Sequence, residues 1–321
     1  MNWGYEPPSW LPGGHTQTIY PSLFAHYLYP DQITWRRERV STNDGDFVDL
    51  DWSGRALEME SLIVLFHGLE GSSQSHYARA FAHYLQGSGV GLCVPHFRGC
   101  SGDINKAPRA YHSGDYEEIG WILGQIRERF QGQICAFGVS LGGNALLRWA
   151  QEAGEDANRF VKGVGSICAP LDLMQSGLQI GRGINHWLYE RRFLRTMKIK
   201  ASQKIKQYPG LFDISKVMNA ESLFEFDNYF TAPVHGFKDT VDYWTNCSSN
   251  LRMKDIKIKH VVINALNDPF IPAESLPKLH DFNSYCTSIY TKEGGHVGFA
   301  QSAFPGELNA LPKLVTTWMK S

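Results

Sequence analysis

The sequence predicts an α/β protein, a doubly wound and mostly parallel sheet with helices on both faces. Three observations predict it. Short continuous apolar runs recur at 62–66, 91–95, 134–139, 160–168 and 259–265, the mark of strands buried on both faces of a parallel sheet. Stretches of helical spacing lie between the early runs, so strand and helix alternate as βαβ units require. The runs end in polar or glycine-rich turns, and open α/β sheets bind ligands in the loops at the carboxyl ends of their strands.

The 321 residues, 43% hydrophobic and 20% charged, are those of a globular chain with a sizeable core. No internal repeat or low-complexity linker divides them, so a single domain is expected over 1–321, with a helical cap insertion at 171–245. A net charge of -1 supplies no global field for nucleic acid or acidic lipid. The six cysteines form no C-x-x-C pair, and Cys93, Cys135 and Cys168 fall in apolar runs as small core residues do. A reducing compartment follows. The start, Met1-Asn2-Trp3-Gly4-Tyr5, lacks the basic and apolar stretches of a signal peptide, and no run reaches the roughly 18 apolar residues of a membrane span. A cytoplasmic protein is expected. With no H-E-x-x-H, Cys/His cluster, P-loop or dinucleotide fingerprint, neither a metal nor a cofactor is expected.

Taken in order, residues 1–30 are rich in Pro, Gly and aromatics, which reads as too irregular for a long helix and too apolar for a free tail. The segment is expected to wrap the core, with His15 structural and outside the site. From Gln32 to Trp52 apolar and polar residues alternate around Asn43-Asp44-Gly45, an antiparallel hairpin at the sheet edge. The strand at 62–66 ends in His67-Gly68-Leu69-Glu70-Gly71. A helix at 77–85, the strand at 91–95 and a helix from an N-cap at Ser113 to Phe130 follow. The strand at 134–139 leads through a tight turn into another helix. After the strand at 160–168 comes the cap, dense in aromatics such as Trp187, Phe193, Phe226 and Trp244. Strands at 259–265 and 287–290 and a helix at 311–319 close the chain.

Within the cap, 186–206 carries Arg191, Arg192, Arg195, Lys198, Lys200, Lys204 and Lys206 among Leu, Phe, Met and Ile. A basic amphipathic helix of this kind suits peripheral contact with an anionic membrane or the phosphates of an acyl donor. The other reading is an ordinary solvated helix face.

The chemistry starts at Gly138-Val139-Ser140-Leu141-Gly142, a G-x-S-x-G sequence lying between strand and helix, where the serine is lifted to the apex of a strained turn. A serine hydroxyl is a weak nucleophile until a base takes its proton. His296, in Gly294-Gly295-His296-Val297-Gly298, supplies that base, and Asp268, in Asn267-Asp268-Pro269, would hold the imidazole in its working tautomer. Asp239, Asp242 and Asp255 compete for the acid role. No competing histidine follows a buried strand in a glycine-rich turn as His296 does.

Together with Pro8-Ser9-Trp10-Leu11-Pro12-Gly13-Gly14-His15-Thr16-Gln17-Thr18, these segments resemble the YheT-like branch of the α/β-hydrolases over nearly the whole chain. The resemblance implies the α/β-hydrolase fold and an oxyanion hole formed by the backbone N–H groups of Leu69 and Leu141, with His67 bracing the loop. Members of the branch are described as esterases, lipases, phospholipases or acyl transferases. The chain departs from it at Asn267, where many relatives carry a second Asp, and in lacking the N-terminal membrane anchor of some eukaryotic relatives, which argues against a bilayer phospholipid substrate. The expected activity is a serine carboxylic ester hydrolase (EC 3.1.1.-) acting through an acyl-enzyme on small short- to medium-chain acyl esters. Transfer of the acyl group to an alcohol, and a non-catalytic binding protein on the same fold, are the alternatives.

Overall fold

A computed structural model describes residues 3–29 and 33–321. Met1, Asn2 and Pro30 of the N-terminal reading and Gln32 of the hairpin reading lie outside the described residues. Among the described residues eight strands form one sheet in the order β1-β2-β4-β3-β5-β6-β7-β8. They are β1 (Trp35–Ser41), β2 (Phe47–Ser53), β3 (Ser61–Phe66), β4 (Val90–Pro95), β5 (Gln133–Val139), β6 (Gly163–Ile167), β7 (His260–Ala265) and β8 (Cys286–Thr291). The β1–β2 and β2–β4 pairs are antiparallel, and the rest are parallel. The hairpin turns at Gly45, whose φ of 77° suits the N-D-G sequence, and places β1 at the edge.

Alternate side chains of β3 enter different layers: Leu62, Val64 and Phe66 join one core cluster and Ile63 and Leu65 the other. That period of two on an all-apolar strand is why the run carries no polar face. Helices α3 (Tyr116–Arg129) and α4 (Leu141–Ala153) cover the first face, and α2 (His76–Tyr84) and α11 (Ala310–Lys320) the second. Between β6 and β7 run α5 (Leu173–Ile180), α6 (Arg191–Gln207), α7 (Ile214–Asn219), α8 (Leu223–Phe226), α9 (Ala232–His235) and α10 (Thr240–Cys247). This helical segment has a core of its own, with Leu194, Ala201, Val217 and Phe226 buried. No helix among the described residues is long and apolar enough to cross a membrane.

Two local expectations are corrected. Residues Gly14–Leu28 form a helix of 15 residues, α1, despite Pro21 in its interior. The absent N–H of Pro21 releases the Gln17 carbonyl, and Gly298 packs so closely there that a Cβ on it would lie 2.0 Å from that oxygen. Tertiary packing thus overrides the composition. The cap of α3 is Asp115, whose side chain accepts the Glu118 N–H, while Ser113 is occupied by Asn144 Nδ2.

The basic stretch also divides. Lys198 donates to Ala220 O at 2.6 Å, Lys200 to Glu70 Oε1 at 2.7 Å, and buried Lys204 to the carbonyls of Asn105 and Ala107. Burial brings Lys204 down to about 8. Arg191, Arg192, Arg195 and Lys206 stay exposed.

Candidate active site

Register assembles the site. Phe66 pairs with Gly138 and Val139 with Ile167, so β3 and β5 end side by side, and His67 and Ser140 leave the sheet at neighbouring points. On the other side Ala265 pairs with Thr291, which brings the turns after β7 and β8 together. These turns carry Asp268 and His296.

Ser140 adopts φ 52° and ψ -123°, a left-handed backbone that a non-glycine residue holds only under constraint. The flanking glycines allow it. A Cβ on Gly138 would sit 2.3 Å from Gly142 O, and one on Gly142 would sit 2.4 Å from His67 O.

His296 Nδ1 lies 2.8 Å from Asp268 Oδ2, and the other carboxylate oxygen accepts the Phe270 N–H at 2.8 Å. A carboxylate only accepts, so the Nδ1 that faces it carries a proton, and in the neutral ring Nε2 is then the acceptor. Ser140 and His296 line one cavity of about 630 Å³. No hydrogen bond joins their side chains among the described residues, and such bonds often tighten only in the reacting complex.

The loop after β3 leaves one amide free. Gly68 N–H donates to the Tyr77 hydroxyl, Glu70 N–H to the Tyr111 hydroxyl and Gly71 N–H to Gly68 O. Leu69 N–H has no protein partner among the described residues, and neither has Leu141 N–H at the first turn of α4, where the helix geometry supplies none. Both residues line the cavity. His67 braces the loop, with Nδ1 against Gly68 O at 2.8 Å and Nε2 accepting the Phe97 N–H at 3.1 Å. That acceptor role requires a neutral ring. Burial, with His96 beside it, holds His67 down at about 3.

A model of the alpha/beta hydrolase fold matches residues 61–303. The chain belongs to this family. Among curated α/β-hydrolase relatives it is 34% identical over 290 residues to "Putative esterase YheT" of Escherichia coli, covering 89% of this chain and 84% of that one. It is 26% identical over 330 residues to "Phospholipase ABHD3" of Mus musculus, covering 99% and 78%. The esterase Pf2001 of Pyrococcus furiosus superposes with a TM-score of 0.55 at 14% identity, over 90% of this chain and 92% of that one. Est1E of Butyrivibrio proteoclasticus, solved with ferulic acid bound, superposes with a TM-score of 0.55 at 13% identity over 88% and 98%. These two likenesses concern the fold.

Sequence reasoning missed how this α/β-hydrolase grips the turn that carries His296. Thr18 Oγ1 accepts the His296 N–H at 2.8 Å and donates to Gly14 O at 2.6 Å. Gln17 Oε1 accepts the Gly294 N–H and Asn267 Nδ2, and Asn267 Oδ1 accepts the Gly295 N–H. From α2, His76 Nε2 meets Val297 O at 2.9 Å. Burial holds His76 at about 4, so the ring is neutral at pH 7 and donates there. The amide at Asn267 gives Gln17 Oε1 a second donor, which a carboxylate at this position would lack. The cue was Gln17, a polar side chain in an apolar segment and fully buried in the fold.

Proposed function

We propose that the chain is a serine carboxylic ester hydrolase working through Ser140, His296 and Asp268. The observation that carries this reading is the pairing of an Asp-oriented imidazole with a strained serine on one cavity wall, beside two unpartnered amides. His296 Nε2 takes the hydroxyl proton as Ser140 Oγ attacks the ester carbonyl. The oxyanion that forms is met by Leu69 and Leu141 N–H. His296 returns the proton to the leaving alcohol, and the acyl group stays on Ser140. Water, deprotonated by the same nitrogen, then releases the acid. Asp268 stabilises the imidazolium in both halves.

Residues 171–245 serve as the cap. Leu173, Ile180, Phe193, Met197, Phe226 and Phe230 line the cavity from that side, and its volume of about 630 Å³ is that of a small-molecule site. An apolar acyl chain of short to medium length fits such a lining. The relatives named as an esterase and a phospholipase support ester cleavage. The test is hydrolysis of p-nitrophenyl esters of increasing chain length by wild type, Ser140→Ala, His296→Ala and Asp268→Asn. The reading requires wild-type turnover and a loss of roughly 10⁴-fold or more for Ser140→Ala. Equal rates for wild type and Ser140→Ala would remove it.

A further inference from the structure

Around the mouth of the cavity, side chains that elsewhere would be buried or paired are turned to solvent. Leu23 of α1 and Leu188 and Arg192 of the helical segment all line the cavity, and all three are exposed. Next to them Trp187 is 66% exposed, Ile184 60% and Ile199 54%. Arg192, Arg195 and Ile199 follow one another at the spacing of one face of α6, and Arg191 lies over the Trp187 ring at 4.6 Å. The segment 178–199 contains one acid, Glu190. It is buried and spent on His186 and the Leu223 N–H. The α1 helix Gly14–Leu28 contains none.

The charges of α6 are therefore sorted. Three of its lysines, Lys198, Lys200 and Lys204, turn inward to carbonyls and to Glu70, and Lys206 in the last turn stays exposed. Its arginines Arg191, Arg192 and Arg195 form no ion pair among the described residues and face water. Guanidinium groups keep their charge, shed water readily and bind phosphate through paired N–H groups. Isolated exposed apolar residues mean little, but a cluster at a cavity mouth marks an interaction surface. Exposed Trp, Leu and Ile interleaved with arginine match the interfacial layer of a bilayer.

We infer that this rim docks on an anionic lipid surface, seating Trp187, Ile184, Leu188 and Leu23 among the acyl chains while Arg191, Arg192 and Arg195 meet lipid phosphates. The docked mouth opens onto the membrane, so an acyl ester dissolved there enters the cavity without crossing water. The inference rests on the proposed esterase activity for what docking delivers; docking itself is measured separately.

The experiment is co-sedimentation of the full chain with vesicles of pure phosphatidylglycerol and of pure phosphatidylcholine, alongside hydrolysis of a soluble p-nitrophenyl ester. The variants are Arg191→Ala/Arg195→Ala and Trp187→Ala, none of which lines the cavity. Wild type binds phosphatidylglycerol in preference, and binding weakens as salt is added. At about 1 kcal/mol for each basic residue near an anionic surface, losing two arginines weakens binding about 30-fold. Trp187→Ala weakens it also, and the rate on the soluble ester is unchanged throughout. Absence of vesicle binding, equal binding to both lipids, or undiminished binding of the arginine variant overturns the inference. So does a wild-type dimer that the same substitutions dissociate without any vesicle binding, since the rim would then be covered by a second copy. If wild type binds as described but leaves the soluble ester intact, docking stands and the esterase reading falls.

Discussion

Replacing Thr18 by Val exchanges one oxygen for a methyl group at nearly constant shape. In the folded protein that oxygen accepts the His296 N–H at 2.8 Å and donates to Gly14 O at 2.6 Å. Valine leaves the His296 amide without its acceptor in a part-buried place, which costs about 1–3 kcal/mol. A turn that rotates to find another acceptor shifts His296 Nε2 relative to Ser140. Since a displacement of about 1 Å at a reacting atom costs up to roughly 100-fold, and each 1.4 kcal/mol is about tenfold, kcat should fall about 10- to 100-fold. KM should stay within about twofold, because Thr18 Oγ1 is spent on the backbone. The assay is steady-state hydrolysis of a soluble p-nitrophenyl ester, with active sites counted by fluorophosphonate titration and stability measured by urea unfolding. Thr18→Ser, which restores the oxygen, should recover most of kcat. A Thr18→Val enzyme that loses stability but keeps kcat would refute the positioning role.

The remaining expectations concern the loops on either side of the serine. Gly14→Ala puts a Cβ 1.9 Å from Asn267 O, so the contact between α1 and the Asp268 turn must open. A lowered melting temperature and a loss of esterase rate together check it. His67 sits at about 3 in the folded chain against an ordinary 6.5, because burial and then His96 disfavour its charged form. Below pH 6.5 the unfolded chain takes up a proton that the folded chain refuses until about pH 3, so stability falls with acid across that window. Between pH 7 and 5 this one ring accounts for ~2 kcal/mol, and His67→Gln should flatten the pH dependence of urea unfolding by that amount. Lys200→Met leaves the Glu70 carboxylate, which also accepts from the Tyr111 hydroxyl, without its cation. The expected loss is about 1–2 kcal/mol, below that of a fully buried pair because Lys200 is partly exposed. Adding Glu70→Gln should restore part of it, as read by chemical denaturation.

Much of the sheet was legible because strands buried on both faces need uninterrupted apolar runs, and 62–66, 91–95 and 259–265 lie within about two residues of β3, β4 and β7. The elbow was legible because a serine at φ 52° needs glycine on either side of it. Asp268 and His296 could be singled out because each stands just beyond the carboxyl end of a strand. Their contact with each other is a product of the β7–β8 register, which no local pattern encodes. The helix α1 was hidden by Pro21 and by a composition with no clean apolar stripe, since it is held by contacts with residues about 280 positions away. Ser113 and Asp115 are both acceptable caps by residue type, and the competing demand of Asn144 on Ser113 decides between them. That Lys198, Lys200 and Lys204 turn inward while Lys206 and the arginines of α6 stay exposed depends on what packs against the helix.

The most direct measurement is the site and rate of labelling by a fluorophosphonate, read by mass spectrometry of the intact protein and its peptides. One adduct, on Ser140, should form rapidly in wild type and be slowed by orders of magnitude in a folded His296→Ala variant. Ester turnover with no adduct on Ser140, or labelling of Ser140 at an unchanged rate without His296, would contradict it.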